Sequence, residues 1–286
     1  MKRSLLLILF CLIPTLAHAG QSIIIDSEGY ACMGDDKSRK ATEQSALTDA
    51  RRKGGDAALT YIQAETKIKD AMLEQDLINA YSNAQVKLIA ELLKEWFKDP
   101  ASGDCYRVKL KLEVTPDEKV MADLAKKKGI ELLDDPAAPL TVKVWTNKEQ
   151  YRDGEKIKLY LKGNRPFYGK VVYRDASGAL AQILPNPFRK EAYFNGGTVY
   201  ELPAGDDQYE LEVSAPFGVE QLTLYAGTAP LGELEVEPAG KIYLVRSLAK
   251  NISVSTRGLK VNAKHGGSGI AAAEFAEAMV TMTTRK

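Results

Sequence analysis

Apolar and polar residues alternate most clearly in two stretches of the first half of the chain. Residues 22–32 open with a β-branched run and then alternate, which predicts a strand. Residues 103–115 alternate throughout, which predicts a strand with one buried and one solvated face. The side chains expected on its buried face are Tyr106, Val108, Leu110, Leu112 and Val114, with Arg107, Lys109, Lys111 and Glu113 opposite.

Two segments show the features of helices. In the first, Asp36 can cap a helix that runs to about Tyr61. One of its faces would carry Leu47, Ala50, Gly54, Ala57 and Tyr61. A glycine on a buried helix face lowers helix propensity by about 1 kcal/mol, and its expected use is a close approach to a sheet.

The second helix is predicted from a capping pattern. Thr115 would cap it, Pro116 would take the first helical position, Glu118 would complete the capping box, and Gly129 would end it.

Residues 86–97 allow two interpretations. Their apolar positions form a fair helical stripe of good helix formers. However, the turn at residues 100–103 leads directly into the alternating strand, which needs an antiparallel partner. The pattern alone leaves both open.

From residue 140 the composition changes to short strands separated by turn residues, which indicates a β-sandwich. We therefore predict an α+β chain. It would comprise a small module with a mixed or antiparallel sheet (20–133), a linker (134–139) and a β-sandwich domain (140–286).

The stretch from Asp175 to Gly178 contains residue types that a hydrolase could use, but they also favour tight turns. Because alternating segments flank it, we interpret it as the tip of a hairpin. A serine nucleophile also needs a base, and His265 lies in a glycine-rich stretch that is more typical of a loop. The sequence therefore predicts no catalytic residue, no bound metal and no cofactor.

The first 19 residues have the layout of a secretory signal peptide, with Lys2 and Arg3 ahead of an apolar run that is too short to span a bilayer. We expect cleavage between Ala19 and Gly20, which places the protein in the periplasm or outside the cell, with no stable membrane span. Lipidation at Cys11 and anchoring by an uncleaved leader are weaker alternatives.

Cleavage would change the formal net charge from +1 to about −1, because Lys2 and Arg3 leave and no acid does. Nucleic-acid-binding proteins carry a basic face, so this balance gives no electrostatic reason to expect nucleic acid or anionic lipid as a partner.

Cys32 and Cys105 are the cysteines that remain after cleavage. In an oxidising compartment, two cysteines favour one disulfide, and two separate buried thiols are the alternative.

Carboxylate pairs and loop aromatics are the other candidate site residues. The pairs Asp35-Asp36, Asp134-Asp135 and Asp206-Asp207 are interpreted as caps or solvated loop residues rather than calcium or acid-base sites. An exposed aromatic cluster would suit a partner protein or a glycan, but caps on the sandwich core are the favoured interpretation for most of these rings. They are Tyr151, Phe167, Tyr168, Phe188, Tyr193 and Phe194, of which Tyr168, Phe188 and Tyr193 form the candidate binding face.

The first module resembles the amino-terminal domain of the flagellar assembly protein T and the related LPP-type lipoproteins. The resemblance rests on a glycine-aromatic strand, an alanine-rich helix, an "ETK" stretch, and a "W" strand beside a "YRVK" strand, within residues 28–114. It implies that residues 86–97 form a strand, and we adopt that interpretation. The family pattern does not require Cys32 and Cys105, which would then lie on strands of one small sheet.

The second domain resembles the domain-of-unknown-function family 4384. The motifs are "YRDGEKIKLYLKGNRPFYGKVVYRDASGALAQILPNPF", "NGGTVYELP", "APFGVEQLTLYAG", "TRGLKV" and "AEFAEAMVTMTTR", within residues 151–284. Glu155 and Lys170 depart from the expected pattern without creating a site. The resemblance implies an exported or envelope protein and no assigned chemistry.

Together these features lead us to expect a non-enzymatic envelope protein that binds a protein partner during assembly or maintenance of a surface structure. A carbohydrate- or peptidoglycan-binding module is the alternative. A flagellar role does not follow, since fold and function separate easily.

Overall fold

A computed structural model describes residues 20–35, 37–65, 71–239, 242–247, 249–258 and 272–286. The predicted signal peptide with its cleavage site at Ala19, the predicted cap Asp36 and His265 lie outside these residues. Strands account for 45% of the structure and helices for 23%. The α+β class predicted from the sequence is therefore confirmed. Within the described residues, none of the helices combines the length and the apolar character that crossing a membrane requires.

The elements follow one another with short connections. The helices are α1 (Arg39–Glu65), α2 (Ala71–Ser82), α3 (Glu118–Lys128), α4 (Ile130–Asp134) and α5 (Ala249–Thr256). The strands are β1 (Gly20–Cys32), β2 (Gln85–Asp99), β3 (Gly103–Thr115), β4 (Val142–Thr146), β5 (Gln150–Arg152), β6 (Lys156–Ile157), β7 (Leu159–Gly163), β8 (Phe167–Arg174), β9 (Leu180–Leu184), β10 (Tyr193–Phe194), β11 (Tyr200–Leu202), β12 (Leu211–Glu212), β13 (Val219–Gly227), β14 (Val236–Ala239), β15 (Ile242–Val245) and β16 (Ala272–Arg285).

One large, curled sheet of 11 strands runs through both halves of the chain. Its main order is β14-β15-β9-β8-β13-β16-β1-β3-β2, with β10 beside β8 and β5 beside β16. A sheet of three strands (β11-β7-β4) and a pair (β12-β6) complete the β structure. The pairing of β5 with β16 is parallel, and the neighbours along the main order pair in the antiparallel sense.

The last strand joins the two halves. β16 pairs with β1 over Ala272–Glu277 and with β13 over Phe275–Thr283, so its central residues bond to both. The sequence analysis used this segment only as a family motif and did not predict that it links the first module to the sandwich.

Residues 86–97 lie within β2, which confirms the strand interpretation over the helical one. β2 pairs with β3 from Gln85↔Thr115 to Asp99↔Gly103, with register shifts near Ala90 and Leu93. Residues 86–97 form a strand despite their helix propensity, because the turn that follows brings β3 alongside and β3 supplies the backbone hydrogen-bond partners.

Helix α1 lies against this sheet with small residues at the contact. Its buried residues are Thr42, Ala46, Ala50, Gly54, Ala58 and Ile62. The predicted face was correct at Ala50 and Gly54, whereas Leu47, Ala57 and Tyr61 flank the contact and are partly buried. A Cβ on Gly54 would collide with the Leu112 side chain, so the helix approaches the sheet closely at this glycine, as the sequence predicted. Ser38 caps the helix by accepting a hydrogen bond from the Ala41 amide at 3.2 Å.

The cap predicted for the helix after β3 was wrong by two residues. Asp117 accepts hydrogen bonds from the amides of Lys119 (2.9 Å) and Val120 (3.1 Å), so α3 begins at Glu118. Thr115 cannot cap because it is the last residue of β3. Gly129 ends the helix as predicted, at φ 43°.

The predicted disulfide is present. Cys32 and Cys105 are directly paired residues of β1 and β3 and are bonded to each other, 73 residues apart in sequence. Such a closure restricts the unfolded chain, and the chain-entropy treatment assigns roughly 4 kcal/mol to a loop of this size.

Three hydrophobic clusters form the interior. One lies between α1–α3 and the β1-β3-β2 part of the large sheet, and a second fills the sandwich between β4-β7-β11 and β8-β13-β16. Ala138 belongs to the first of these clusters and Leu140 to the second, so they divide at the end of the predicted linker (134–139). The predicted domain boundaries themselves stay an interpretation.

The third cluster lies on the opposite face of the large sheet. Residues 229–235 and 249–258, here called the covering segment, pack there through Leu234 and Ile252 onto Ile24, Tyr225 and Phe275. The covering segment explains a departure from prediction in β3. Lys111 and Glu113 were expected in solvent but are 9% and 4% exposed. Glu113 is paired with Arg257 of the covering segment, and Lys111 lies 3.0 Å from Asp26 of β1.

We predict that Gly29→Ala destabilises the protein by about 2 kcal/mol or more. A Cβ at Gly29 would overlap the carbonyl oxygen of Ala46 and the amide nitrogen of Ala50, and helix and strand backbones cannot give way without moving α1. Chemical denaturation should show a lower midpoint. Gly205→Ala is the control, because nothing lies within 4 Å of a Cβ there, and its free energy of unfolding should stay within about 0.5 kcal/mol of the parent. Equal stability of the two variants would contradict the close approach.

Candidate functional site

The structure separates the six loop aromatics into two groups. Tyr151, Phe167 and Phe194 are at most 1% exposed and belong to the sandwich core. Phe188 and Tyr193 are 44% and 45% exposed, and Tyr168 is half-buried. The capping interpretation therefore holds for the first three, and the candidate binding face keeps its three residues as a prediction.

Tyr168 and Tyr193 form the better-defined half of this face. They are direct partners between β8 and β10, and their rings meet edge to face at 5.1 Å with 61° between the ring planes. Each ring therefore limits the rotamers of the other. The pair forms an angular apolar corner, with a hydroxyl group on each ring, rather than a flat platform.

Phe188 is held by the turn that follows β9. The Asn186 side chain accepts hydrogen bonds from the amides of Phe188 and Arg189, both at 2.8 Å, and donates one to the Ile183 carbonyl at 2.8 Å. The Phe188 ring stacks on Tyr209 at 6.3 Å with 23° between the planes. An exposed aromatic ring fixed in this way can bind a ligand with little loss of conformational entropy.

The candidate catalytic segment is a turn, as predicted. The Asp175 carboxylate accepts hydrogen bonds from the Ser177 hydroxyl (2.6 Å) and from the amides of Ser177 (2.8 Å) and Ala179 (2.9 Å). Gly178 adopts φ 89°, a left-handed conformation that favours glycine. Partial burial opposes ionisation of Asp175, but the hydrogen bonds from Ser177 and the turn amides outweigh it and hold the pKa of this carboxyl below its ordinary 3.8.

A cleft of about 260 Å³ lies beside this turn. Two carboxylates lie on its wall, and both are already hydrogen-bonded within the fold. The turn engages Asp175, while Glu220 accepts hydrogen bonds from the hydroxyls of Tyr173 and Thr284, each at 2.7 Å. The Ser177 hydroxyl donates to the Asp175 carboxylate, and because the pKa of this carboxyl lies below 3.8, it is too weak a base to activate a serine nucleophile.

Three of the paired aspartates have structural partners. Asp134 forms an ion pair with Lys162, and Asp135 accepts the Ala137 amide at 2.8 Å. Asp207 accepts the Ala204 amide at 2.6 Å and lies 3.1 Å from the Arg189 guanidinium. In the described part of the chain, histidine, cysteine and acidic residues form no group of three that could hold a metal ion.

The sequence analysis missed a buried charged cluster where the two halves meet. Glu274 on β16 is 2% exposed, and its carboxylate accepts hydrogen bonds from the Leu140 amide, the Arg165 guanidinium and, at 3.2 Å, the Tyr61 hydroxyl. Burial first, and then the negative charge of Glu274, raise the pKa of Tyr61. Burial opposes the charge on Arg165, but the Glu274 carboxylate outweighs that effect and raises its pKa. The only sequence signal for this cluster was an acidic residue inside an apolar strand.

Asn164 extends this cluster along the predicted linker. Its side-chain amide donates to the carbonyls of Asp135 (2.8 Å), Ala138 (3.0 Å) and Pro139 (3.1 Å), and its carbonyl accepts from the Thr141 amide at 2.8 Å. Because its backbone groups are bonded in this way, the segment is part of the packed structure.

Two further buried charges hold the covering segment. Glu113 accepts hydrogen bonds from Arg257 and, at 2.9 Å, from the Ser22 hydroxyl. Lys170, which departs from the family pattern, is 4% exposed and donates to the Gly232 carbonyl at 3.1 Å. Burial lowers the pKa of Lys170, and the opposing effect of Glu233 is smaller. Both charges lie on the sheet face that the covering segment occupies.

We predict a pH-dependent stabilisation by Asp175. Because folding lowers its pKa, the carboxylate stabilises the protein above pH 3.8, and this contribution disappears as the pH falls through the folded pKa. Asp175→Ala should lower the free energy of unfolding by about 1 kcal/mol at pH 7. The difference from the parent should shrink below pH 3.8. Ser177→Ala should retain most of the stabilisation, and a pH-independent difference for Asp175→Ala would contradict the assignment.

We also predict that Glu274→Ala costs about 3–5 kcal/mol, because removing one partner of a buried ion pair leaves the Arg165 charge poorly compensated. Thermal and chemical denaturation measure the effect. Glu237→Ala is the matched control, since its ion pair with Arg246 joins side chains that are 58% and 61% exposed, and exposed pairs contribute about 0–1 kcal/mol. Similar losses for both variants would show that Glu274 does not stabilise the junction.

Comparison with known families supports one of the two resemblances. A family model described as "Domain of unknown function (DUF4384)" matches residues 150–230, which confirms the resemblance for that part of the second domain. The resemblance to the flagellar assembly protein T and LPP-type modules stays a prediction. Neither the curated proteins nor the solved structures include a significant match to the chain. The matched residues contain the hairpin tip and all three residues of the candidate binding face.

Proposed function

We propose that this chain is an exported, non-enzymatic protein of the cell envelope that binds another protein during the assembly or maintenance of a surface structure. The observation that carries the proposal is the edge-to-face aromatic pair of the exposed Tyr193 and the half-buried Tyr168, in the region that matches the domain of unknown function. Tyrosines that are rigid, apolar in the ring and polar at the tip are enriched where proteins meet.

Export is supported by the leader-like first 19 residues and by the disulfide, which is compatible with an oxidising compartment. A role without catalysis is supported by the two carboxylates of the cleft, which take part in hydrogen bonds that stabilise the fold. Asp175 and Glu220 both accept hydrogen bonds from groups of the fold itself, so their lone pairs stabilise the hairpin and the end of β16.

The angular geometry of the tyrosine pair favours a protein over a sugar ring. Sugars stack on a flat exposed ring, whereas two rings at 61° form a corner that an apolar side chain can fill. The second candidate, a carbohydrate- or peptidoglycan-binding module, is favoured by Phe188 alone, because this ring is exposed and lies nearly parallel to Tyr209 behind it.

We predict that a photo-crosslinking amino acid at Tyr193 captures a defined protein partner in intact cells. Tyr168→Ala should reduce the yield of that adduct about tenfold or more, as expected when an aromatic anchor is truncated. Val219→Ala, at a side chain that is 67% exposed, is the control and should leave the yield unchanged.

Sedimentation with purified sacculi separates the two candidates. Loss of a protein adduct, together with co-sedimentation that Phe188→Ala abolishes, would replace the leading proposal with the carbohydrate-binding one. An enzymatic activity that disappears in Ser177→Ala would overturn both.

A further inference from the structure

The large sheet ends differently at its two edges. One edge is β14, which has four residues and includes Pro238, and proline cannot donate a backbone hydrogen bond. The other edge is β2, with 15 residues. Within the described residues, the ladder of β2 runs to β3 alone, so alternate amides and carbonyls of its outer side have no strand partner. β2 is therefore the edge at which another strand can add.

The register shifts of β2 divide it into two parts. They occur between Leu88 and Ala90 and between Glu91 and Leu93, and bulges of this kind oppose the addition of a strand. From Leu93 to Asp99 the register with β3 is regular. This regular part, here called the open edge, carries two exposed apolar side chains, Leu93 and Phe97, each 37% exposed.

The charges of the open edge are sorted by face. Lys94 and Lys98 lie on the face that carries the helices, because the neighbouring Trp96 pairs with Tyr106 of the helix-side core. Glu95 and Asp99 lie on the opposite face with the two apolar side chains. Glu95 pairs with Arg107 and Asp99 accepts the amides of Ala101 and Ser102, in each case through one of the two carboxylate oxygens. Residues directly opposite each other in an antiparallel pair share a face, and like charges there are destabilising.

A second copy of this chain does not fit the open edge. In a two-fold antiparallel pair of identical regular strands, residues that oppose each other are separated by an even number of positions, because they must share a face. Every register centred between 94 and 98 then sets like charges opposite each other. The centre is the residue that lies on the two-fold axis and therefore faces its own copy. Centres 94, 95 and 98 place Lys94, Glu95 and Lys98 opposite their own copies. Centre 96 places Lys94 opposite Lys98, and centre 97 places Glu95 opposite Asp99.

We propose that the open edge of β2 binds an extended segment of another protein by antiparallel strand addition. The segment carries acidic residues opposite Lys94 and Lys98, basic residues opposite Glu95 and Asp99, and apolar residues opposite Leu93 and Phe97. Backbone hydrogen bonds to the edge supply affinity, and the charge pattern selects the partner. This inference rests on the proposed function in that both require a protein partner, but it concerns a different surface from Tyr168 and Tyr193.

A synthetic probe tests the pattern without knowledge of the natural partner. The matched peptide is capped Lys-Glu-Val-Thr-Lys-Glu-Val, which runs antiparallel to residues 99–93, and its control is the charge-swapped Glu-Lys-Val-Thr-Glu-Lys-Val. Titration of the isotope-labelled protein, followed by amide NMR signals, should show shifts centred on residues 93–99. The matched peptide should bind at least about tenfold more tightly than its control, since four cross-strand charge pairs change sign.

Matched variants make the result specific. The double variant Lys94→Glu/Lys98→Glu should weaken binding of the matched peptide at least about tenfold. Lys87→Glu/Lys190→Glu, which changes the net charge equally and leaves the open edge intact, should not. Equal binding of the two peptides, no shifts at residues 93–99, or a homodimer that Leu93→Lys dissociates would each overturn the inference.

The outcomes also separate this inference from the proposed function. A crosslink-captured partner at Tyr193, combined with no peptide selectivity at β2, would leave the proposed function standing and remove the edge site. Selective peptide binding without any adduct in cells at Tyr193 or Leu93 would support the edge chemistry and count against the proposed cellular role.

Discussion

The pairing of β16 with both β1 and β13 is the constraint on which the rest of the structure depends. Through this strand the first and second halves of the chain share one hydrogen-bonded sheet instead of meeting as separate bodies. The same strand places Glu274 at the junction, where its carboxylate binds the Leu140 amide, Arg165 and Tyr61. The backbone pairing of β16 and the buried ion pair of Glu274 thus hold the same junction between the two halves. The strand pairing places the Glu274 carboxylate beside its partners, and those partners in turn keep the strand in position.

Covering of the large sheet explains where the unexpected buried charges lie. The helices take one face of the first half, and the covering segment takes the opposite face near β1, β8, β13 and β16. Glu113 and Lys170 therefore lie beneath a segment that supplies their partners, Arg257 and the Gly232 carbonyl. Buried charges with such specific partners restrict how the covering segment can sit, because any other placement would leave them desolvated and unpaired.

The two proposed binding surfaces differ in their physical character. The aromatic face offers side chains that are held by their neighbours, with Tyr168 against Tyr193 and Phe188 against Tyr209. The open edge of β2 offers backbone groups, with side chains that set the register. A protein with both kinds of surface can contact two partners, or two segments of one partner, without a conformational change in its own sheet.

Much of the local structure could be predicted from the sequence, because strand alternation and capping act over a few residues. The limits of β3, the turn at Asp175 and the cysteine pairing were correct. The cap of α3 was wrong because the strand before it extends to Thr115. For the candidate site, the sequence identified six aromatic residues in or near loops. It could not show which of them are buried and which are exposed, because exposure depends on neighbours from distant segments.

What the sequence by itself determined is therefore the clearest of the strands and turns, such as β3 and the turn at Asp175. Only the tertiary structure decided that β16 crosses between the halves, that the covering segment lies on the sheet, and that β2 is an edge strand among the described residues. The physical reason is the range of the interactions. Alternation and capping are set by neighbours in sequence, whereas strand order and burial are set by contacts between residues more than a hundred positions apart, such as Arg165 with Glu274 and Glu113 with Arg257.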